Sequence, residues 1–204
     1  MRKATFALLL AALIGWGLPA RARTKTDQDM EKKVLVVFFS HTGENYGVGR
    51  IVKGNTHIVA EMIAQGTGGK LFEIVPEKDY PQTYNECVAE ARQEKESAAR
   101  PAVKGDIAVE DYDVVFVGYP NWWGDMPMPV YSFIEKHDWN GKQVYPFCTH
   151  EGSGLSETEK YIAGVCKGAT VGKGLAVKGT MAQKSQDQTR KSVQSWLEKV
   201  GLAK

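Results

Sequence analysis

Ser40-His41-Thr42-Gly43-Glu44-Asn45, with Gly54-Asn55-Thr56 a few residues further on, is the stretch whose reading decides the fold. Ahead of it runs Val34-Leu-Val-Val-Phe-Phe39, a continuous β-branched and aromatic segment of the kind that forms a strand covered on both faces. Behind it, Ile58, Val59, Met62 and Ile63 put one apolar face on a helix that Asn55-Thr56 can cap. A buried strand that passes through a hydroxyl- and glycine-rich loop into a helix start is an arrangement suited to an anion. Loop N–H groups and the positive end of the helix hold a phosphate without Arg or Lys, and the hydroxyls of Ser40, Thr42 and Thr56 add donors. The stretch has neither the lysine of a nucleotide P-loop nor a G-x-G-x-x-G, which disfavours a nucleoside triphosphate.

Outward from there the chain alternates between strand and helix patterns. Leu71-Phe-Glu-Ile-Val75 is short and mixed, as suits an edge strand, and Val114-Val-Phe-Val-Gly-Tyr119 is apolar throughout. Val144-Tyr-Pro-Phe-Cys148 gives a fourth strand, and residues 169–177 a fifth that is weakened by glycine. Capping-box patterns at Thr83/Glu86, Ser156/Glu159 and Ser185/Gln188 precede apolar helical faces, the last of which stops at Gly201. Val130, Phe133, Ile134 and His137 are spaced i, i+3, i+4, i+7. Five strands alternating with five helices predict a parallel sheet joined by right-handed crossovers. At 204 residues the chain has room for one such domain, and it carries no internal repeat.

In a doubly wound sheet ligands bind beyond the carboxyl ends of the strands, so the loops after the first, third and fourth strands matter most. The loop after the third reads Tyr119-Pro120-Asn121-Trp122-Trp123-Gly124-Asp125-Met126-Pro127. Adjacent tryptophans in an extended segment point to opposite sides, which leaves one of them to cover something flat. The loop after the fourth is Thr149-His150-Glu151-Gly152-Ser153-Gly154, whose glycines allow the backbone to approach a planar ligand. His150 and Glu151 read either as an acid–base pair or as a solvated rim, with the rim favoured.

These three loops resemble the FMN loops of flavodoxins, in the right order and at the right sheet positions over residues 33–200. The resemblance implies a flavodoxin-like three-layer α/β/α sandwich with a five-stranded parallel sheet in the order 2-1-3-4-5. It also implies noncovalent FMN whose ring lies between the second and third loops. Ser40, Thr42, Gly43 and Asn45 would surround the ribityl phosphate, with Asn55 and Thr56 at the helix start, and His41 of the same loop would also bind the cofactor. Pro120, Asn121, Trp122, Trp123 and Gly124 would meet the ring from one side, with Trp122 or Trp123 stacking on it. Thr149, His150, Glu151, Gly152, Ser153 and Gly154 would meet it from the other. In common flavodoxins the phosphate motif is compact, whereas here Tyr46 to Lys53 split it, which leaves open which half contacts phosphate. On this reading no catalytic residue and no metal ligand is called for.

The first 22 residues have the layout of a secretory signal peptide: Arg2-Lys3, an apolar run from Ala4 to Leu18, and the small-residue site Ala20-Arg21-Ala22. Residues 23–32 read as a loose polar lead-in and 33–204 as the domain. Cleavage removes Arg2, Lys3 and Arg21 and takes the formal net charge from +2 to −1, which leaves no case for a nucleic-acid partner. The expectation is an exported, periplasmic protein with no membrane span after cleavage. Cys87, Cys148 and Cys166 are odd in number and irregular in spacing, so free thiols are favoured, with Cys148–Cys166 the pair to test first.

Three functions fit to different degrees. A flavodoxin-type carrier would exchange electrons with a partner protein or a small-molecule donor or acceptor. An FMN-dependent NAD(P)H or quinone oxidoreductase would use the same fold, with His150 and Glu151 its only hint. A phospho-receiver would need an acidic pair after the first strand and Asp after the third, where this chain has Ser-His-Thr-Gly and Tyr-Pro-Asn-Trp.

Overall fold

Period-two alternation sets how the first strand, β1 (Val34–Phe38), is buried. Leu35 and Val37, with Phe39 just beyond the strand, join one apolar cluster, while Val36 and Phe38 join a second on the other face. A strand apolar on both sides needs helices over both, and the rest of the chain supplies them. The structure, a computed structural model, describes residues 32–204. The expected signal peptide and all of the lead-in but Lys32 lie outside the described residues.

After β1 the chain makes a small hairpin, β2 (Gly43–Asn45) and β3 (Gly49–Ile51), and enters α1 (Asn55–Thr67). Then come β4 (Lys70–Glu73), β5 (Val75–Pro76), α2 (Tyr84–Glu96), β6 (Val103–Lys104) and β7 (Val114–Pro120). The chain continues through α3 (Met128–Ile134), β8 (Gln143–His150), α4 (Thr158–Val165) and β9 (Thr170–Val171). It ends with β10 (Leu175–Lys178), α5 (Gly179–Lys184) and α6 (Gln186–Lys199).

The main sheet runs β4-β1-β7-β8-β10 with every pair parallel, and β9 pairs with the start of β8. Counting β9 and β10 as two pieces of one edge strand, this is the expected order 2-1-3-4-5. α1 and α6 pack over one face, where Ile58, Val59, Ile63, Val193, Trp196 and Leu197 meet Phe116 and Phe147. The opposite face holds Tyr119, Val130, Phe133, Ile134, Trp139 and Ile162. Full burial of side chains of this size stabilises each by about 1.5–3 kcal/mol.

Several local expectations are corrected. The fifth strand breaks at Gly172–Gly174 because Gly172 lies against the Tyr145 ring, where a β-carbon would come within 2.3 Å. The Gly174 amide leaves the ladder for the Glu159 carboxylate (2.7 Å). That commits Glu159, so α4 does not start with the Ser156/Glu159 box. It begins at Thr158, and Ser156 takes a left-handed turn conformation (φ +52°). The second strand stops at Glu73, and Val75–Pro76 turns away to pair antiparallel with β6. α3 closes at Ile134, short of His137. α5 went unpredicted, since a six-residue helix leaves little periodicity to read.

Among the described residues no helix is long and apolar enough to cross a membrane. No group of three His, Cys, Asp or Glu among them could hold a metal ion.

Candidate functional site

The loops after β1, β7 and β8 converge at the carboxyl edge of the sheet around a cavity of about 360 Å³, within the range typical of small-molecule sites. Of the residues expected at the site, His41, Asn45, Asn55, Pro120, Asn121, Trp122, Trp123, Thr149, His150, Glu151 and Ser153 line it.

Its floor is the start of α1. Gly54 occupies the N-cap position and so offers no side chain of its own to the helix start, and the first turn carries no acidic residue. Among the described residues the Asn55 and Thr56 amides find no acceptor, so the positive end of α1 is open. Gly54 is needed there for space, since a β-carbon would fall 2.0 Å from Ser40 Oγ. Ser40 accepts the His57 amide (3.1 Å), so its hydroxyl serves the helix from behind. Thr56 and Thr149 share a buried hydroxyl–hydroxyl bond of 2.8 Å that ties α1 to the end of β8. Asn55 receives the Gln183 amide at its Oδ1 (2.9 Å), which leaves its own amide group as donor.

The wall after β7 is a two-residue turn. Trp122 and Asp125 exchange both backbone bonds (3.0 and 3.1 Å), with Trp123 (φ +57°) and Gly124 (φ +76°) at the tip. The two tryptophans separate as their spacing demands. Trp122 turns inward, edge-on to Phe39, His41 and Tyr80. Trp123 stays 49% exposed, with its indole N–H on the Val88 carbonyl (3.2 Å) and Arg92 over its ring. His41 is buried, its Nε2 has no hydrogen-bond partner, and burial lowers its pKa.

The wall after β8 is held by side chains. His150 Nδ1 accepts the amides of Gly152 (2.9 Å) and Gly154 (3.0 Å), and burial lowers its pKa, with Lys178 adding to the effect and Glu151 opposing it. The Gly154 carbonyl accepts from Asn121 Nδ2 (2.8 Å) and from the Cys148 thiol (3.1 Å). Glu151 accepts the amide and hydroxyl of Thr180 (2.6 and 3.2 Å) at the start of α5. His150 through Nδ1 and Glu151 through Thr180 are thus both engaged in holding the loop in shape. Cys87, Cys148 and Cys166 are free buried thiols, each pushed up to about 12 by burial first of all.

Ser40, Thr42, Gly43, Thr56, Gly124, Gly152 and Gly154 do not line the cavity. Thr42 is exposed, Ser40 and Thr56 are committed as above, and the four glycines shape turns through positive φ. Sequence reasoning missed Glu44, Tyr46, Tyr84, Cys87, Val88 and Ala91, which line the cavity from the hairpin and α2. The capping box that located α2 was the available signal. It fixed where the helix starts but not which face it turns to the cavity.

The flavodoxin family model matches residues 33–200, the whole of the sheet and its loops. A candidate flavoprotein from Bacteroides eggerthii is 28% identical with a TM-score of 0.66, over 83% of this chain and 98% of that one. A second, from Bacteroides uniformis, is 28% identical with a TM-score of 0.65, over 82% and 98%. A flavoprotein from Lactobacillus acidophilus, solved in complex with FMN, shares the fold at 20% identity and a TM-score of 0.56, over 77% and 97%. No match was found among the curated proteins. With the sheet order, the three converging loops and a family match across the whole described domain, the chain belongs to the flavodoxin family.

Proposed function

We propose that this chain is an exported flavodoxin-family protein that binds FMN noncovalently and works as an electron carrier. The observation that carries the reading is a single cavity that joins the open N-terminus of α1 to the two tryptophans of the β7 loop. The donor set fits FMN. The Asn55 amide at the open helix end suits a phosphate dianion, the Asn45 and Asn55 side chains suit a polyol, and Trp122 and Trp123 offer aromatic surface to a flat ring. Bound FMN supplies the electron chemistry, so the protein's part is to bind it, orient it and exclude water. Gly54 lets the chain pass close behind the phosphate end, and Asn121 ties the two ring-side loops together through Gly154. The structural commitments of His150 and Glu151 favour a carrier over an NAD(P)H or quinone oxidoreductase.

Export rests on the signal-peptide layout of residues 1–22, and the partner is a redox protein or small-molecule donor or acceptor of the same compartment. One experiment tests the whole reading: express the full chain, recover it from the periplasm, measure its intact mass and titrate it with FMN. The expected result is a chain beginning at Arg23 that quenches flavin fluorescence at micromolar or lower FMN. An unprocessed chain retained in the cytoplasm sinks the export reading, and absence of FMN binding across a micromolar titration sinks the cofactor reading. Rapid turnover of NADPH with a quinone by the loaded protein would replace the carrier with the enzyme.

A further inference from the structure

Tyr80, in the connection between β5 and α2, stands between two cavities. Its ring is only 6% exposed and packs edge-on against Trp122 (ring centroids 5.1 Å apart), Phe39 (5.7 Å) and His41 (6.4 Å). Trp122 lines the cavity at the sheet edge. Tyr80 lines a second cavity of about 430 Å³, together with Glu77, Lys78, Glu90, Glu94 and Arg100. The Lys78 side chain is largely exposed, so this second cavity reaches solvent.

The Tyr80 hydroxyl donates to the Glu94 carboxylate. Burial first of all, and then that bond, raise the pKa of Tyr80, so the reduced phenol keeps its proton. Burial also pushes the Glu94 carboxyl up, against the bond from Tyr80, which makes it the better base. The cations of the second cavity are engaged elsewhere, Lys78 with Glu90 (2.6 Å) and Arg100 with Glu135 (2.7 Å). Among the described residues Tyr80 is the one tyrosine that both meets a tryptophan ring and donates to a carboxylate. Tyr145 meets Trp196 (6.4 Å) but bonds no carboxylate, and Tyr131 bonds Asp125 but meets no tryptophan.

We propose that Trp122, Tyr80 and Glu94 form a relay that carries a one-electron oxidation away from the wall of the first cavity and out to the second. The oxidant is an oxygen-centred radical arising at the first cavity. It removes one electron and the indole N–H proton from Trp122 and leaves a neutral indolyl radical. In the relay step one electron passes from Tyr80 to Trp122, across rings already in contact. The indole nitrogen takes back a proton from water, and the phenol proton moves along its hydrogen bond to Glu94. Trp122 is restored, Tyr80 becomes a neutral phenoxyl radical and Glu94 a carboxylic acid. Without Glu94 the oxidised phenol would be a buried cation, which the apolar surroundings penalise. A soluble thiolate reaching the second cavity then returns one electron to Tyr80 and leaves as a thiyl radical, while Glu94 returns the proton.

The test uses azide radical, generated by pulse radiolysis, to oxidise tryptophan in the recovered protein, with the indolyl and phenoxyl radicals followed by their separate absorption bands. No flavin chemistry enters it, so the outcome is independent of the FMN reading. The expected result is an indolyl signal that decays into a phenoxyl signal at a rate independent of protein concentration. That phase should vanish in Trp122→Phe and in Tyr80→Phe. Glu94→Gln keeps both rings and a partner for the phenol, yet should slow the phase at least about tenfold, since the proton has lost its acceptor. The wild-type phase should also slow in D2O, which a merely structural hydrogen bond would not cause. A phase that survives Tyr80→Phe overturns the proposal, and so does an unchanged rate in Glu94→Gln. If Tyr80→Phe does not fold, the Glu94→Gln rate and the D2O comparison decide the matter, and equal rates in either sink the relay.

Discussion

The loops after β7 and β8 form facing walls of one cavity, yet they are built by different physics. The β7 loop is closed by its own backbone, with Trp122 and Asp125 exchanging two bonds around a tip that holds Trp123 and Gly124 at positive φ. The β8 loop has no such pair. Its shape depends on His150 Nδ1 accepting two amides and on Asn121 and Cys148 reaching the Gly154 carbonyl. The first wall is braced as well by Lys95, which donates to the Trp123 carbonyl (2.6 Å), and by Asp125, which accepts from Tyr131 (2.8 Å), and it stores strain. The second is unstrained at its centre but hangs on a histidine, whose pKa burial lowers from its ordinary value. A backbone-built wall without a histidine is sensitive to substitution first of all, and a wall built on a histidine is sensitive both to substitution and to that histidine's protonation.

The strongest challenge to this contrast is Trp122→Ala. Trp122 packs edge-on against Phe39, His41 and Tyr80, so removing it empties the junction between the β7 loop and the first apolar cluster. Partial burial puts the expected loss of stability at about 2–3 kcal/mol, at or below the low end for a tryptophan lost from a core. Denaturant unfolding measures it. A loss under about 0.5 kcal/mol would show that the wall holds without Trp122 and that Trp122 adds only ligand contact.

How far the sequence discloses this arrangement depends on the length of the signal. β1, β7 and β8 are long apolar runs, so a parallel doubly wound sheet and the loops to inspect at its carboxyl edge are legible in the sequence, whereas the order 2-1-3-4-5 comes only with the resemblance of those loops to flavodoxins. The hairpin was not. Its strands are three residues each, separated by glycine and carrying Glu, Asn and Arg, which reads as a polar loop. Nor was the contribution of α2. Cys87 and Ala91 face the buried layer at helical spacing, and nothing in that pattern distinguishes a cavity wall from a core. In the sequence His150 and Glu151 read as a solvated rim in preference to an acid–base pair, and neither reading includes the hydrogen bonds they make within the loop and to Thr180. Their work in holding a loop and capping α5 depends on α5 itself, which is too short to predict.

Smaller effects are expected at His150, and they carry the pH contrast. In His150→Leu the amides of Gly152 and Gly154 lose their shared acceptor, which costs less than the roughly 1–3 kcal/mol of a fully buried loss, because Gly152 is exposed, Gly154 is half-buried and water can replace it. Burial holds the folded pKa of His150 below its unfolded value, so the unfolded chain takes up the proton first as pH falls. The stabilisation is therefore complete above about 6.5 and is lost as pH drops from there through the lowered folded value. Protonation at Nδ1 turns the acceptor into a donor facing two N–H groups, and the loop opens. Stability and FMN affinity of the wild type should decline together below that pH. His150→Leu should start lower and decline less, with His41, also lowered by burial, leaving a residual slope. Identical pH profiles for wild type and variant would break the contrast between the walls.

The smallest stability effect is expected where the strain is stored. Trp123 holds a left-handed backbone conformation, which costs a non-glycine residue about 1–2 kcal/mol. Against that it keeps one indole hydrogen bond to Val88 and an exposed stack with Arg92, together about 1–2 kcal/mol. Trp123→Gly gives up the contacts and relieves the strain, so unfolding should change by no more than about 1 kcal/mol in either direction. FMN affinity should nonetheless fall about tenfold, because an aromatic face at the cavity is gone. A residue that is neutral to the fold, strained in place and half exposed owes its position to what it covers. Should Trp123→Gly instead destabilise as much as Trp122→Ala with flavin binding intact, Trp123 is part of the scaffold, and the ring belongs against Trp122 alone.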